Sequence, residues 1–224
     1  MQRTKLKDRI LPSYTRGEEI FNMVSHIVGG AFGITATVLC IIMAAIHDNV
    51  YGIVSGSIYG ATLIILYTIS SIYHGLSPKL MAKKVFQVLD HCSIFLLIAG
   101  CYTPVALCTI REQNTAAGWW LFGIIWTTTA LGITFNSIDL KSTKKFSMFC
   151  YLVMGWCVVF YLKPLIAGIG WGGFTFFLSG GICYTIGAIL YGVGKKKKYF
   201  HSIFHLFVLA GSVLQFFGEL FYVM

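Results

Sequence analysis

The feature that most constrains this chain is a succession of long apolar stretches separated by short connections. A membrane-spanning helix needs about 20 mostly apolar residues, and the 224-residue sequence contains seven stretches of that kind. They cover residues 22–46, 51–73, 86–109, 118–137, 146–167, 171–192 and 200–222. Only 11% of the residues are charged, against roughly 25% in an ordinary soluble domain. The sequence therefore predicts an all-α integral membrane protein with a seven-transmembrane helix bundle.

This pattern divides the chain into a basic N-terminal segment, residues 1–20, and a membrane domain, residues 21–224. Two predicted spans contain a proline toward one end, Pro104 and Pro164, and neighbouring helices can satisfy the backbone groups that a proline frees. The weakest separation between spans is the glycine-rich stretch 167–173. Because the connections are short, we expect any chemistry to take place inside the bundle or at its faces.

Lysines and arginines predict the orientation of the bundle. Fifteen of the 17 lie in the N-terminal segment and in the second, fourth and sixth connections, which include Lys195–Lys198, whereas Arg111 and Lys163 lie on the other side. Because basic residues are retained on the cytoplasmic side, the pattern predicts a cytoplasmic N-terminus and an extracytoplasmic C-terminus in a multi-pass protein of the cell membrane. The net charge of +9 is then explained by topology and by attraction to anionic lipid at the cytoplasmic face, not by nucleic acid.

Four ionisable residues lie at a common depth inside the apolar stretches: His74, Asp90, His201 and His205. Counted at 1.5 Å per residue from the nearest lysine, they lie about 5 to 10 Å inside the cytoplasmic edge. Ionisable side chains within a span are costly and are usually functional. Since three different spans carry these residues to one depth, we expect them to meet in one site.

Spacing along the helices indicates that this site binds a metal. His201 and His205 are four residues apart and project from one helical face, as in helical zinc motifs, and Ser70 lies one turn before His74. Three imidazoles with an open position suit catalytic zinc, whereas calcium and magnesium prefer oxygen ligands; iron and manganese also accept such ligands. Asp90 is expected to be a fourth ligand or to hold and deprotonate a water, and Ser70 to hydrogen-bond the His74 ring or that water.

Other polar residues are given less direct roles. His91 points about 100° away from the preceding residue around the helix, so we place it behind the site or at the membrane interface. His26 is expected to line the site or to pack. Glu18 and Glu19 are expected to cap the first span or to stand over the cytoplasmic mouth, and Glu219 to reach the outer interface.

Several short motifs, taken in order, resemble those of a known membrane family. They are Glu18-Glu19-x-x-Asn22-x-x-Ser25-His26, Ser70-Ser71-x-Tyr73-His74, Leu89-Asp90-His91 with Ala99-Gly100-x-Tyr102-Thr103-Pro104, and His201-x-x-x-His205. The ordered set resembles the progestin and adipoQ receptor family, in its bacterial hemolysin III branch, over nearly the whole chain.

This resemblance implies a seven-helix bundle with a cytoplasmic N-terminus, located in the bacterial inner or plasma membrane. It implies a zinc ion near the cytoplasmic leaflet, held by His74, His201 and His205, with Asp90 and Ser70 beside it. Eukaryotic relatives are linked to the hydrolysis of lipid amides such as ceramide, and the wider superfamily is regarded as membrane-bound metal-dependent hydrolases.

Three functions are compatible with these residues. The first is a zinc-dependent hydrolase that cleaves an amide or ester bond of a membrane lipid, with Asp90 as the general base. The second is a non-enzymatic regulator or sensor with a structural zinc ion, which would have a closed four-ligand site. The third is a pore or transporter; it is disfavoured because, Glu219 apart, the ionisable residues stop in one half of the membrane. Taken alone, the pair His201 and His205 is equally compatible with an interhelical hydrogen bond or with part of a proton path.

Overall fold

Helices make up nearly all of the structure. The computed structural model describes residues 3–194 and 197–224, so Lys195 and Lys196 of the predicted sixth connection lie outside the described residues. The helices are α1 (Arg16–Ile46), α2 (Val50–Gly75), α3 (Met81–Pro104), α4 (Arg111–Gln113), α5 (Thr115–Trp156), α6 (Leu162–Val193) and α7 (Phe200–Tyr222). A π-helical segment, Val105–Ile110, joins α3 to the single turn α4, and a 3₁₀ segment, Cys157–Tyr161, joins α5 to α6. Within the described ranges the chain contains no strand.

Five helical stretches are long and apolar enough to cross a membrane: α1, α2, Met81–Gln113, Thr115–Val193 and α7. The first, second, third and seventh predicted spans each lie within a stretch of their own. The fourth, fifth and sixth fall together within the 79 residues Thr115–Val193. The described residues therefore contain five membrane-capable helical stretches, whereas the sequence predicts seven separate spans.

The long stretch Thr115–Val193 is bent at two points. Asp139 in α5 has φ −155° and ψ 89°. Gly170 in α6 has φ 64° and ψ 179°, a conformation that residues with a side chain rarely adopt. The bend at Gly170 falls where the sequence predicts a break between spans, at residues 167–173. The predicted span 146–167, in contrast, is not one continuous α-helix, because the 3₁₀ segment Cys157–Tyr161 interrupts it. Pro164 explains this interruption, because a proline clashes with the carbonyl four residues earlier and is best accommodated in the first turn of a helix, where α6 places it.

The helices pack around two apolar cores. One lies among α1, α2, α3 and α7 and includes Leu63 and Tyr67; the other lies among α3, α5 and α6 and includes Phe95 and Ile125. Helices α1 and α2 approach closely at Gly29, where a Cβ atom would overlap the Tyr67 ring. Many large apolar side chains on the outward faces are exposed, as expected of surfaces that meet lipid.

Glu219 does not reach the outer interface as predicted. Its side chain is fully buried in α7, near Cys40 of α1 and Tyr59 of α2. Among the described residues neither of its carboxylate oxygens has a hydrogen-bond partner. Counting residues along a helix gives the depth of a side chain but not the direction in which it points, and α7 is rotated so that Glu219 faces the bundle.

Helix α7 begins beside the start of α1. Tyr199, with φ 62°, precedes α7 and donates its backbone N–H to Oε1 of Glu18 at 2.7 Å. Glu18 also completes a capping box with Thr15 at the start of α1, which confirms the capping role predicted for it. These contacts bring His201, in the first turn of α7, to the end of the bundle where His74 lies in the last turn of α2.

Candidate metal centre

His74, His201 and His205 converge where α1 and α7 begin and α2 ends. Nε2 of His201 lies 3.4 Å from Nε2 of His74 and 3.1 Å from Nε2 of His205. One ligand atom from each residue lies within 4.8 Å of the other two. His74 and His205 are buried and His201 is half-buried. The structure therefore brings together the three histidines that the sequence selects, and this group can hold a metal ion.

Glu19 of α1 holds the His74 ring. Its Oε2 lies 2.6 Å from Nδ1 of His74, and its Oε1 accepts a hydrogen bond of 2.7 Å from Nζ of Lys83. An ionised carboxylate can only accept, so the proton of the imidazole is assigned to Nδ1, and Nε2 presents its lone pair to the other two histidines. A carboxylate behind a histidine in this way is the usual outer partner of a metal ligand.

The separations of the nitrogen atoms fit a tetrahedral metal ion. Zinc–nitrogen bonds of about 2.0–2.1 Å place tetrahedral ligand atoms about 3.4 Å apart, close to the 3.1 and 3.4 Å observed. With the proton of His74 on Nδ1, hydrogen bonds among the three Nε2 atoms cannot give every one of these atoms a partner. A ring nitrogen that carries a proton can donate but cannot also accept. A cation at their centre would satisfy the three lone pairs together.

Helix α1 contributes two further buried polar residues. The ring of His26 stacks on that of His205, with centroids 3.8 Å apart and planes at 24°. Neither ring nitrogen of His26 has a hydrogen-bond partner in the described part of the chain. Asn22 is also buried, with its Nδ2 3.5 Å from Nδ1 of His74. Glu19, Asn22 and His26 recur every three or four residues and so share one helical face. His26 both lines the cavity and packs on His205, the two roles expected of it.

Asp90 and Ser70 line the cavity that opens beside the histidines. The group of mutually close ligand atoms consists of the three histidines, and within residues 3–194 and 197–224 it does not include Asp90. Oδ2 of Asp90 lies instead 3.8 Å from Nδ1 of His91. The structure thus places Asp90 beside the histidine group and not within it.

His91 has hydrogen-bond partners on both ring nitrogens. Its Nδ1 lies 2.9 Å from the carbonyl oxygen of Gln87, to which it donates, and its Nε2 accepts from the hydroxyl of Tyr191 at 3.2 Å. The Tyr191 ring centroid lies 5.7 Å from that of His201. His91 is therefore connected to the site through Tyr191.

The cavity runs from the histidines into the bundle and has a volume of about 1420 Å³, its opening included. Polar side chains, among them Ser70 and Asp90, lie near the histidines. The remaining lining is mainly apolar and includes Ile94, Leu97, Ile98, Leu152, Phe204 and Val208. Tyr102 and Gln215 line this cavity and also a second, mainly apolar one. The cavity lining is therefore mainly apolar, with a smaller set of polar side chains that includes Asp90, His201 and His205.

A residue that precedes α1 also takes part in the site. The ring of Tyr14 stacks on that of His201, with centroids 4.9 Å apart and planes at 14°. Burial raises the pKa of the Tyr14 phenol, and the nearby Tyr73 and Tyr191 raise it further, so the phenol is neutral at physiological pH. The sequence does not mark Tyr14, because the contact depends on how the N-terminal segment crosses the bundle.

Comparison with known proteins extends the resemblance seen in the motifs. A family model described as "Haemolysin-III related" matches residues 14–216. The chain is 40% identical over 208 residues to Hemolysin-3 of Bacillus cereus, with 92% of each chain covered. It is 38% identical over 209 residues to the Hemolysin-3 homolog of Bacillus subtilis (strain 168), with 93% of this chain and 96% of that protein covered.

A more distant relative is the human Monocyte to macrophage differentiation factor, 23% identical over 205 residues, with 88% of this chain and 78% of that protein covered. The match to the family and to the two Bacillus proteins extends over nearly the full length of the described helices. Several of these helices are long and apolar enough to cross a membrane. The chain is therefore a multi-pass membrane protein and belongs to the haemolysin-III family.

Proposed function

We propose that this protein is a metal-dependent hydrolase that cleaves an amide or ester bond of a membrane lipid. The observation that carries the proposal is the convergence of three imidazole Nε2 atoms beside a mainly apolar cavity, which His201 and His205 line. Zinc is the ion we propose, because three nitrogen ligands at tetrahedral separations suit it better than calcium or magnesium. When bound, zinc would supply a Lewis acid for the scissile carbonyl and would make water a better nucleophile at neutral pH.

The polar residues beside the histidines have distinct proposed roles. The carboxylate of Asp90 lies outside the ligand group, so it would accept the proton of the attacking water as a general base. Ser70, one turn before His74 on α2 and buried in the cavity wall, would hydrogen-bond that water and orient it. Glu19 would fix the ring of His74 through the Nδ1–H hydrogen bond. The apolar lining would hold the acyl chain of the lipid and exclude bulk water.

A purely regulatory protein with a structural zinc ion would be expected to have a closed four-ligand site. Among the residues that the structure describes, three histidines form the ligand group, and two of them, His201 and His205, line the cavity. An accessible three-ligand site favours catalysis over a structural role.

The proposed function includes a topology with seven spans, a cytoplasmic N-terminus and an extracytoplasmic C-terminus. The 79 residues Thr115–Val193 would be about 118 Å long as a straight helix, roughly four times the hydrocarbon thickness. The bends at Asp139 and Gly170 divide this stretch into three shorter parts. Fifteen of the 17 lysines and arginines lie on the same side of the membrane as the histidine site, and two lie on the other side. This distribution favours a histidine site in the cytoplasmic half of the membrane, next to connections that attract anionic lipid. Reporter fusions after Lys145 and after Gly170 should report opposite sides, the first cytoplasmic.

The hydrolase proposal is tested on purified full-length protein in lipid nanodiscs. Zinc content is measured by mass spectrometry, and fatty-acid release is followed with a panel of lipid amides and esters. His205→Ala should lose both zinc and activity. Asp90→Asn should keep zinc but lose activity by roughly 100-fold or more. His47→Ala, an exposed histidine at the other end of the bundle, should keep both.

Two results would overturn the proposal. One is a zinc-loaded wild-type protein that releases no fatty acid from any lipid of the panel. The other is a His205→Ala variant that retains the full zinc content, which would remove the site itself.

A further inference from the structure

The segment Arg3–Tyr14, here called the strap, crosses the end of the bundle that carries the histidines. At its far end Nε of Arg3 donates to the carbonyl of Ile138 at 2.8 Å, and the backbone N–H of Thr4 donates to Oδ2 of Asp139 at 3.2 Å. In its middle Nζ of Lys84 donates to the carbonyl of Lys7. The strap is thus attached to the bend in α5 and to the start of α3.

The other end of the strap is attached next to the histidine site. Thr15, the residue after the strap, forms the capping box of α1 with Glu18. Glu18 in turn accepts the N–H of Tyr199, which precedes α7. The strap therefore runs from the start of α1 and α7 to the bend in α5, and it has fixed points at both ends.

Between these fixed points the strap covers the histidines. Pro12 and Tyr14 line the cavity. The ring of Tyr14 lies nearly parallel to that of His201, and its centroid is 5.8 Å from that of His74. A tyrosine just before a membrane span commonly anchors the helix at the interface with its ring among lipid headgroups. The ring of Tyr14 is instead half-buried against a metal-ligand candidate.

We propose that Tyr14 is a positioning residue for His201 and that the strap covers the histidine site at this end of the bundle, so that an ion enters or leaves faster when the strap lifts. The ring of Tyr14 fixes the plane of the His201 imidazole by stacking, as outer partners fix metal-ligating histidines in general. This inference rests on the metal-binding part of the proposed function and is independent of hydrolysis.

The first experiment measures how fast zinc leaves the purified, zinc-loaded full-length protein in the presence of excess chromogenic chelator. Tyr14→Ala should release zinc about tenfold faster or more. Tyr14→Phe keeps the ring and should release it at the wild-type rate. Thr4→Pro removes the N–H that reaches Asp139 and should accelerate release with Tyr14 intact. Tyr161→Ala, at a tyrosine outside the strap and the cavity lining, is the matched control and should behave as wild type.

A second measurement does not need a bound metal. In chelator-treated protein, diethyl pyrocarbonate modifies accessible histidines, and the modification of His201 is quantified by peptide mass spectrometry. Modification should be slow in the wild type and in Tyr14→Phe, and faster in Tyr14→Ala and Thr4→Pro. Monodisperse gel filtration shows which variants remain folded.

Wild-type rates of zinc release and of His201 modification in both Tyr14→Ala and Thr4→Pro would overturn the proposal. So would a Tyr14→Phe variant as fast as Tyr14→Ala, because the ring would then not be the element that holds His201. A wild-type protein that binds no zinc would contradict the metal proposal alone, since the modification of His201 still tests the strap.

Discussion

Oε2 of Glu19 lies 2.6 Å from Nδ1 of His74 and so joins the first turns of α1 to the last turn of α2. The other oxygen of the same carboxylate is paired with Lys83 of α3. The side chains of both partners are almost fully buried, 0% exposed for His74 and 2% for Lys83. Three helices therefore meet at one carboxylate, and the direction of the His74 lone pair depends on it.

Replacing Glu19 should weaken metal binding without removing a ligand. In Glu19→Gln the charge that fixes the His74 ring and its proton is lost, and outer partners of this kind contribute about 10–100-fold to metal affinity. We expect the zinc dissociation constant, measured by competition with a chelator of known affinity, to rise by that factor. Glu112→Gln, at an exposed carboxylate of α4, is the matched control. Equal affinities for the two variants would show that Glu19 does not support the metal site.

Metal removal should lower the stability of the folded protein. A ligand that binds only the native state stabilises it by about 2.7 kcal/mol when its concentration is 100 times the dissociation constant. Chelation should therefore lower the unfolding temperature of the purified protein, and added zinc should restore it. His205→Ala should respond to neither treatment. A response of wild-type size in this variant would place the stabilising ion elsewhere.

Substitutions of His26, whose ring stacks on that of His205, distinguish a packing role from metal binding. His26→Phe keeps a flat ring against His205, so we expect zinc affinity close to the wild-type value. His26→Ala leaves a void beside His205, and large-to-small changes in a packed core destabilise by about 2–5 kcal/mol. The free energy of unfolding and the zinc affinity of the two variants provide the test. Loss of zinc from His26→Phe would indicate that an imidazole nitrogen of His26 takes part in binding.

The parts of this site that sequence predicts are those set by helical periodicity and depth. His201 and His205 share a face because they are four residues apart, and His74 reaches the same depth from another helix. The observed bounds of α7, Phe200–Tyr222, agree with the predicted span 200–222. The helical repeat of 3.6 residues and the number of residues from the membrane edge are sufficient for these assignments.

The remaining parts depend on relations that no local pattern carries. Tyr14 reaches His201 because the strap is attached to Asp139, which lies 125 residues further along the sequence. Glu219 faces the bundle because of the rotation of α7, and an apolar helix gives little indication of that rotation. Two other features are local: the bend at Asp139 lies in a predicted connection between spans, and the 3₁₀ segment at Cys157–Tyr161 follows from the steric effect of Pro164, a proline that the prediction placed within a span.

Glu219 should be replaceable by its neutral isostere. A carboxylate that is charged and unpaired inside the bundle would destabilise it by several kcal/mol, and the described residues offer its oxygens no hydrogen-bond partner. Glu219→Gln keeps the shape of the side chain, so we expect the free energy of unfolding to change by about 1.5 kcal/mol or less. Zinc content should not change, because the residue lies about 21 Å along α7 from His205. A large loss of stability in this variant would show instead that the negative charge is required, for example to hold a cation.

Gly170 tests whether the bend in α6 is fixed by backbone conformation. A Cβ atom at this position would meet no other atom within 4 Å, so the φ of 64° is the only obstacle to a side chain. Gly170→Ala should therefore destabilise the protein by about 1–3 kcal/mol, because a positive φ with ψ near 180° is adopted almost only by glycine. Gly123 of α5 also has open space around it, but it lies in a regular helix, where alanine is favoured over glycine by about 1 kcal/mol. Gly123→Ala should therefore have the opposite sign in the same unfolding measurement. If both substitutions stabilised the protein, the backbone at residue 170 would not be confined to the left-handed region, and the division of the long helical stretch at that residue would lose its support.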